Sequence, residues 1–70
     1  MKNIIKVIQV FLNGSTSAEI SEELVSLKFK NNCTWVTVRN EIDKKEYTTI
    51  FPLTSVSMIR LIDEEIEKEN

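Results

Sequence analysis

Residues 25–40, VSLKFKNNCTWVTVRN, constrain this chain more than any other stretch. Two runs of alternating apolar and polar residues flank Asn31-Asn32, which reads as the two-residue loop of a β-hairpin. Folding there pairs Lys30 with Cys33, Phe29 with Thr34, Lys28 with Trp35, Leu27 with Val36 and Val25 with Val38. Strand side chains alternate between faces. Val25, Leu27, Phe29, Val36 and Val38 therefore share one face, which reads as core. Lys28, Lys30, Trp35, Thr37 and Arg39 share the other, which sets the only tryptophan of the chain among three cations.

Residues 4–12, IIKVIQVFL, predict a first strand, because Ile, Val and Phe suit a pleated, buried surface. It is apolar on both faces, so either the domain wraps it or another chain pairs with it. Asn13 to Ser17 reads as a loop. Thr16 with Glu19 fits a capping box, which predicts a short helix over 17–24 carrying Ala18, Ile20 and Leu24. After the hairpin comes a turn around Ile42-Asp43-Lys44-Lys45 and a strand over 46–51. A three-residue loop would face Thr48 and Ile50 to the core and set Tyr47, Thr49 and Phe51 beside Trp35. A one-residue slip would reverse that assignment.

Pro52 ends the strand, since it donates no ladder hydrogen bond. Residues 54–70, TSVSMIRLIDEEIEKEN, admit two readings. As a helix capped by Thr54, they align Val56, Ile59, Ile62 and Ile66 along one stripe. As a strand, Ser57 to Ile62 would lie against the first strand. The favoured reading is a turn over 53–56, that strand, and a short acidic helix after it, because β-branching dominates the first half and helix formers the second.

These elements predict a mainly β domain of the α+β kind. It would be a small bent antiparallel sheet or SH3-like barrel of roughly four to five strands, with a short helix near 17–24 and a short C-terminal helix. The order strand, excursion, three-stranded meander, tight turn, strand resembles the small SH3-like barrels, among them the LSm type. That resemblance lies in element order, covers most of the chain and implies a fold, since such folds host many functions.

Seventy residues make a single small domain, with an acidic tail over 63–70. Chains of this size usually need a disulfide, a metal or a partner. One cysteine forbids an internal disulfide, and the absence of histidine removes the common zinc and iron sites. It also removes the usual general base and the Ser-His and Cys-His nucleophile pairs. The expectation is a protein that is not an enzyme, has no cofactor and no metal, and acts by association, in first place as a homo-oligomer or with a protein partner.

The net charge of −2 is unevenly spread. Residues 63–70 hold five acids against one lysine; residues 1–62 hold eight basic and six acidic side chains. The tail reads as a solvated, fraying segment or an interaction tail. Abundant Ile, Lys, Asn and Glu beside one Gly and one Pro is the bias of an AT-rich genome. It points to an accessory protein of a low-GC bacterium or of one of its phages, where inhibition of a host defence or regulatory protein is a further reading. Lys6 and Gln9 interrupt the first apolar run, which leaves it short for a signal peptide. No segment approaches the ~20 apolar residues of a membrane span. No membrane association is expected, and the compartment expected is the cytoplasm.

The candidate binding surface is Lys28, Lys30, Trp35, Thr37 and Arg39, joined by Tyr47 and Phe51. Aromatic rings stack on bases while cations neutralise phosphates, so this face suits RNA, single-stranded DNA or a nucleotide. Trp, Tyr and Arg also dominate protein interfaces. A strongly bent sheet could instead fold Trp35 into its own core. The acidic total weighs against nucleic acid. Cys33 reads as a turn residue, with no histidine or helix N-terminus beside it to activate a thiolate. Asn13-Gly14-Ser15 and Asn32-Cys33-Thr34 read as chance matches to the glycosylation pattern, and Glu22-Glu23 as a solvated face.

Overall fold

The computed structural model describes residues 2–67. Five strands form one antiparallel sheet: β1 (Lys2–Leu12), β2 (Ile20–Lys30), β3 (Cys33–Arg39), β4 (Glu46–Pro52) and β5 (Val56–Glu67). A single 3-10 turn, Leu53–Ser55, links the last two. The spatial order is β4-β3-β2-β1-β5, so β4 and β5 are the two outer edges of an open sheet. Among the described residues, no helix is long and apolar enough to cross a membrane.

The hairpin at Asn31-Asn32 forms as the alternation requires. Both asparagines take positive φ, 54° and 58°. The pairs Lys30–Cys33, Phe29–Thr34, Lys28–Trp35 and Leu27–Val36 stand in register. The fifth expected pair does not. A bulge between Leu24 and Ser26 lets Leu24 face Val38 in place of Val25. Val25 is left 39% exposed. The bulge falls where β2 changes partner, because Ile20 to Glu23 pair with β1 and Glu23 to Lys30 pair with β3. A bulge bends and twists its strand, which this change of partner requires.

No second layer covers this sheet, yet Ile8 and Val10 of β1 and Val36 of β3 are fully buried. The sheet therefore curls, bringing the same face of distant strands together. Val38 and Phe51 complete the buried cluster, and Leu12, Ile20, Leu24, Leu27, Val56 and Ile59 pack around it. Burying each such side chain contributes about 1.5–3 kcal/mol, so this small cluster is the main source of stability. Phe29 shares the inner face but is 60% exposed. The ladder from β1 to β2 stops at Glu23, so nothing reaches far enough to cover the hairpin tip.

Three further expectations need correction. Residues 17–24 are not a helix: a turn leads into β2, and Ile20 to Glu23 lie against Val10 to Val7. Glu19 donates its backbone N–H to the Val10 carbonyl, and the Ser15 hydroxyl bonds the Ser17 carbonyl, so the capping box does not form. The long-range ladder outweighs the local capping signal. Residues 63–67 are likewise not helical, because β5 runs on to Glu67 beside β1; residues 68–70 of the expected C-terminal helix lie outside the described residues. The strand expected over 57–62 is present within β5. Finally, the register of β4 is one residue from the expected one. Trp35 faces Ile50, Thr37 faces Thr48, and Thr34 faces Phe51. Tyr47, Thr49 and Phe51 thus share the inner face with Val36 and Val38.

Candidate functional site

The hairpin pleat and the β4 register place four rows of side chains on the outer face. Lys28, Trp35 and Ile50 form one row, Ser26, Thr37 and Thr48 the next, and Glu23, Arg39 and Glu46 the last; Lys30, Cys33 and Pro52 close the opposite end. Trp35 is half-buried and lies outside the buried core cluster. The Lys30 ammonium sits 4.6 Å from the centre of its ring. The indole Nε1 donates a long hydrogen bond, 3.4 Å, to the Lys30 carbonyl. Ring and cation are thereby held together as a unit at the turn end of the hairpin.

Not all of the expected surface gathers here. Lys28, Lys30, Trp35, Thr37 and Arg39 share the outer face as expected. Tyr47 and Phe51 do not, because the register turns them inward: Phe51 is 8% exposed within the core. Ile50, which the alternation of a shorter loop had assigned to the core, takes their place and is 48% exposed.

Arg39 is already engaged. Its guanidinium donates to Glu46 at 2.8 Å and to Glu23 at 3.4 Å. The hydrogen bond to Glu46 and the charge of Glu23 raise its pKa, which keeps it ionised. Thr37 and Thr48 join their hydroxyls at 2.9 Å. Among the described residues Lys28 has no ion pair, so it and Lys30 are the cations this face offers.

Beside this face, residues 40–45 form a tightly tied loop. The Asn40 side-chain oxygen accepts from the backbone N–H of Ile42 and Asp43. One Asp43 oxygen accepts from the Lys45 N–H, and the other from the Tyr47 hydroxyl at 2.8 Å. Both bonds lower the Asp43 pKa, and the same contact raises that of Tyr47. Ile42 stands at the tip, 92% exposed. A groove of about 400 Å³ separates this loop from Ile5, Val7 and Ile66 of the β1–β5 ribbon, with Glu22, Glu23 and Glu64 on its walls. Sequence reasoning missed both Ile42 and Ile50. The loop length decides both, and its only signal was the turn-forming Asn40 and Asp43.

Among the described residues, no cluster of three or more His, Cys, Asp or Glu side chains is placed to hold a metal ion. Cys33 is a free, half-buried thiol facing Lys30 and Pro52 across the ladders. The chain is a small, single-sheet β domain with a tryptophan on its outer face. Comparison with protein-family models, with curated proteins and with solved structures finds no match to it.

Proposed function

We propose that this chain works without catalysis, as a small module that associates with its own copies and, through the face around Trp35, with other proteins. One observation carries this reading. The row Lys28–Trp35–Ile50 combines an indole, an exposed aliphatic side chain and a cation on a rigid sheet face. Aromatic anchors set beside aliphatic and cationic neighbours are the usual centres of protein interfaces. The absence of histidine removes the usual general base and the Ser-His and Cys-His nucleophile pairs, which supports a role in binding. The finer fold proposed is the small SH3-like barrel that the element order in the sequence resembles, and such folds serve functions too varied to narrow the choice.

A nucleic-acid reading retains Trp35, Lys28 and Lys30, and those three residues favour it. It is the weaker of the two. A base-stacking platform needs several rings and free cations, whereas here Tyr47 and Phe51 face inward and Arg39 is held by two glutamates. Capture of partners from the native host by wild type and Trp35→Ala side by side tests the protein reading. The expected result is a defined partner lost with a variant that retains its β-sheet signal. Tryptophan quenching by an oligonucleotide, weakening steeply as salt rises, would replace it with the nucleic-acid reading.

A further inference from the structure

The two outer edges of this sheet are not alike. β5 carries Arg60 near its middle and Asp63, Glu64 and Glu65 along its last part, and it starts at an irregularity opposite Leu12. Charges and bulges on an edge strand are what keep sheets from pairing edge to edge. β4, by contrast, runs Tyr47-Thr48-Thr49-Ile50-Phe51 with no charge and no irregularity in its ladder. Every residue from Glu46 to Ile50 is exposed.

The hydrogen-bond phase of β4 is also fixed. Asn40 donates its N–H to the Lys45 carbonyl, and Leu53 donates its N–H to the Asn32 carbonyl, both at 2.9 Å. These two bonds lie on the continuation of the β3–β4 register, at its two ends. In an antiparallel ladder, hydrogen-bonded and non-hydrogen-bonded pairs alternate. Tyr47, Thr49 and Phe51 therefore bond inward to β3. Glu46, Thr48 and Ile50 point their N–H and C=O groups outward, where no strand receives them. Pro52 falls on an outward position too, which explains why a residue without an N–H is tolerated inside this strand.

We infer that two copies of this chain join through β4, antiparallel and centred on Thr49, into one continuous sheet. This rests on the reading that the chain acts by association, and it names a second copy as the occupant of that edge. Centring on Thr49 pairs the whole of β4, Glu46–Pro52, with its copy. It sets the outward groups of Thr48 against those of Ile50 in the partner, so each finds a hydrogen-bonding mate. It brings Tyr47, which is 46% exposed, opposite the partner's Phe51 in a close pair. The two Glu46 side chains fall at opposite ends, so no like charges meet. The outer faces of both copies then merge, with the two β3 strands three strand spacings apart, or roughly 14 Å. One dimer thus presents two Trp35 rows on a single surface.

Cysteine cross-linking and mass measurement test this. In a Cys33→Ser background, Thr49→Cys places two thiols across a non-hydrogen-bonded pair with Cα atoms about 4.5 Å apart, within disulfide reach. Mild oxidation is expected to link Thr49→Cys into a dimer. Glu46→Cys, displaced from its own copy by about 20 Å along the strands, is expected to stay unlinked. Light scattering of the wild type at micromolar concentration should give twice the chain mass. Thr48→Pro removes an outward backbone donor and no backbone bond to β3, losing besides only the hydroxyl contact with Thr37, so it should halve that mass with the far-ultraviolet spectrum kept; Thr48→Lys should do the same. A wild-type monomer, or an oligomer in which Thr49→Cys fails to link, overturns the pairing. A monomer that still captures a partner through Trp35 would overturn it and leave the association reading standing.

Discussion

Trp35 stands directly across the β3–β4 ladder from Ile50, with the Lys30 ammonium over its ring. The indole is thus flanked by an aliphatic side chain and a cation. An exposed cation–π contact contributes about 0.5–1 kcal/mol. Lys30→Gln should lower unfolding free energy by about that amount and change the intensity of Trp35 emission. Urea unfolding followed by tryptophan fluorescence measures both. An unchanged spectrum would mean that the ammonium does not sit on the ring in solution.

The stability of this domain rests on the inner face. Ile8 is fully buried between β2 and β5, opposite Glu22 and Leu61. Truncating such a residue costs about 2–5 kcal/mol. A domain of this size has only about 0.05–0.15 kcal/mol of stability per residue, so Ile8→Ala should remove a large share of the total and lower the melting temperature steeply. Trp35→Ala, which empties no core site, should remain folded. Circular dichroism melts of the two variants give the comparison. Equal losses would place Trp35 in the core after all.

Thr34 is fully buried and its hydroxyl has no hydrogen-bond partner. It stands opposite Phe29 and Phe51 in the two ladders. A buried polar group without a partner costs about 1–3 kcal/mol. Valine has nearly the same shape and no hydroxyl. Thr34→Val should therefore stabilise the domain by about 1 kcal/mol, seen as a higher urea midpoint with an unchanged slope. A loss of stability would show that the hydroxyl is satisfied, by water or by a shift of its neighbours.

Local signals carried the hairpin and failed elsewhere, for one physical reason. Asn31-Asn32 and strict alternation on both sides leave β2–β3 a single register, and it forms from Ser26 to Thr37 with little else needed. The β3–β4 register depends on how many residues the loop takes up. Here Asn40 and Asp43 side chains and the positive φ of Lys44, 60°, build a longer loop than the one expected. That one parity decides whether Tyr47 and Phe51 or Thr48 and Ile50 stand beside Trp35. The stretch 17–24 misled because Thr16 and Glu19 carry a cap that costs nothing to read locally. The competing ladder to β1 involves residues ten or more positions away, which no local pattern displays.

The Asp43–Tyr47 contact gives this loop a pH window. The Lys45 N–H and the Tyr47 hydroxyl both favour the ionised carboxylate, so the folded-state pKa of Asp43 lies below its ordinary value. A group with a lowered pKa contributes stability above its unfolded pKa, about 3.9, and loses it as pH falls through the folded value. Tyr47 behaves oppositely. Its hydrogen bond to Asp43 favours the neutral phenol and raises its pKa. Its contribution is complete below about pH 10 and is lost as pH rises through the raised folded value. The contact should therefore hold across the neutral range and fail at both extremes. Ultraviolet titration of Tyr47, the only tyrosine of the chain, reads this directly. Asp43→Asn keeps an acceptor but removes the charge, and it should lower the Tyr47 pKa. An Asp43→Asn protein whose tyrosine titrates as in the wild type would show that the hydroxyl does not bond Asp43 in solution.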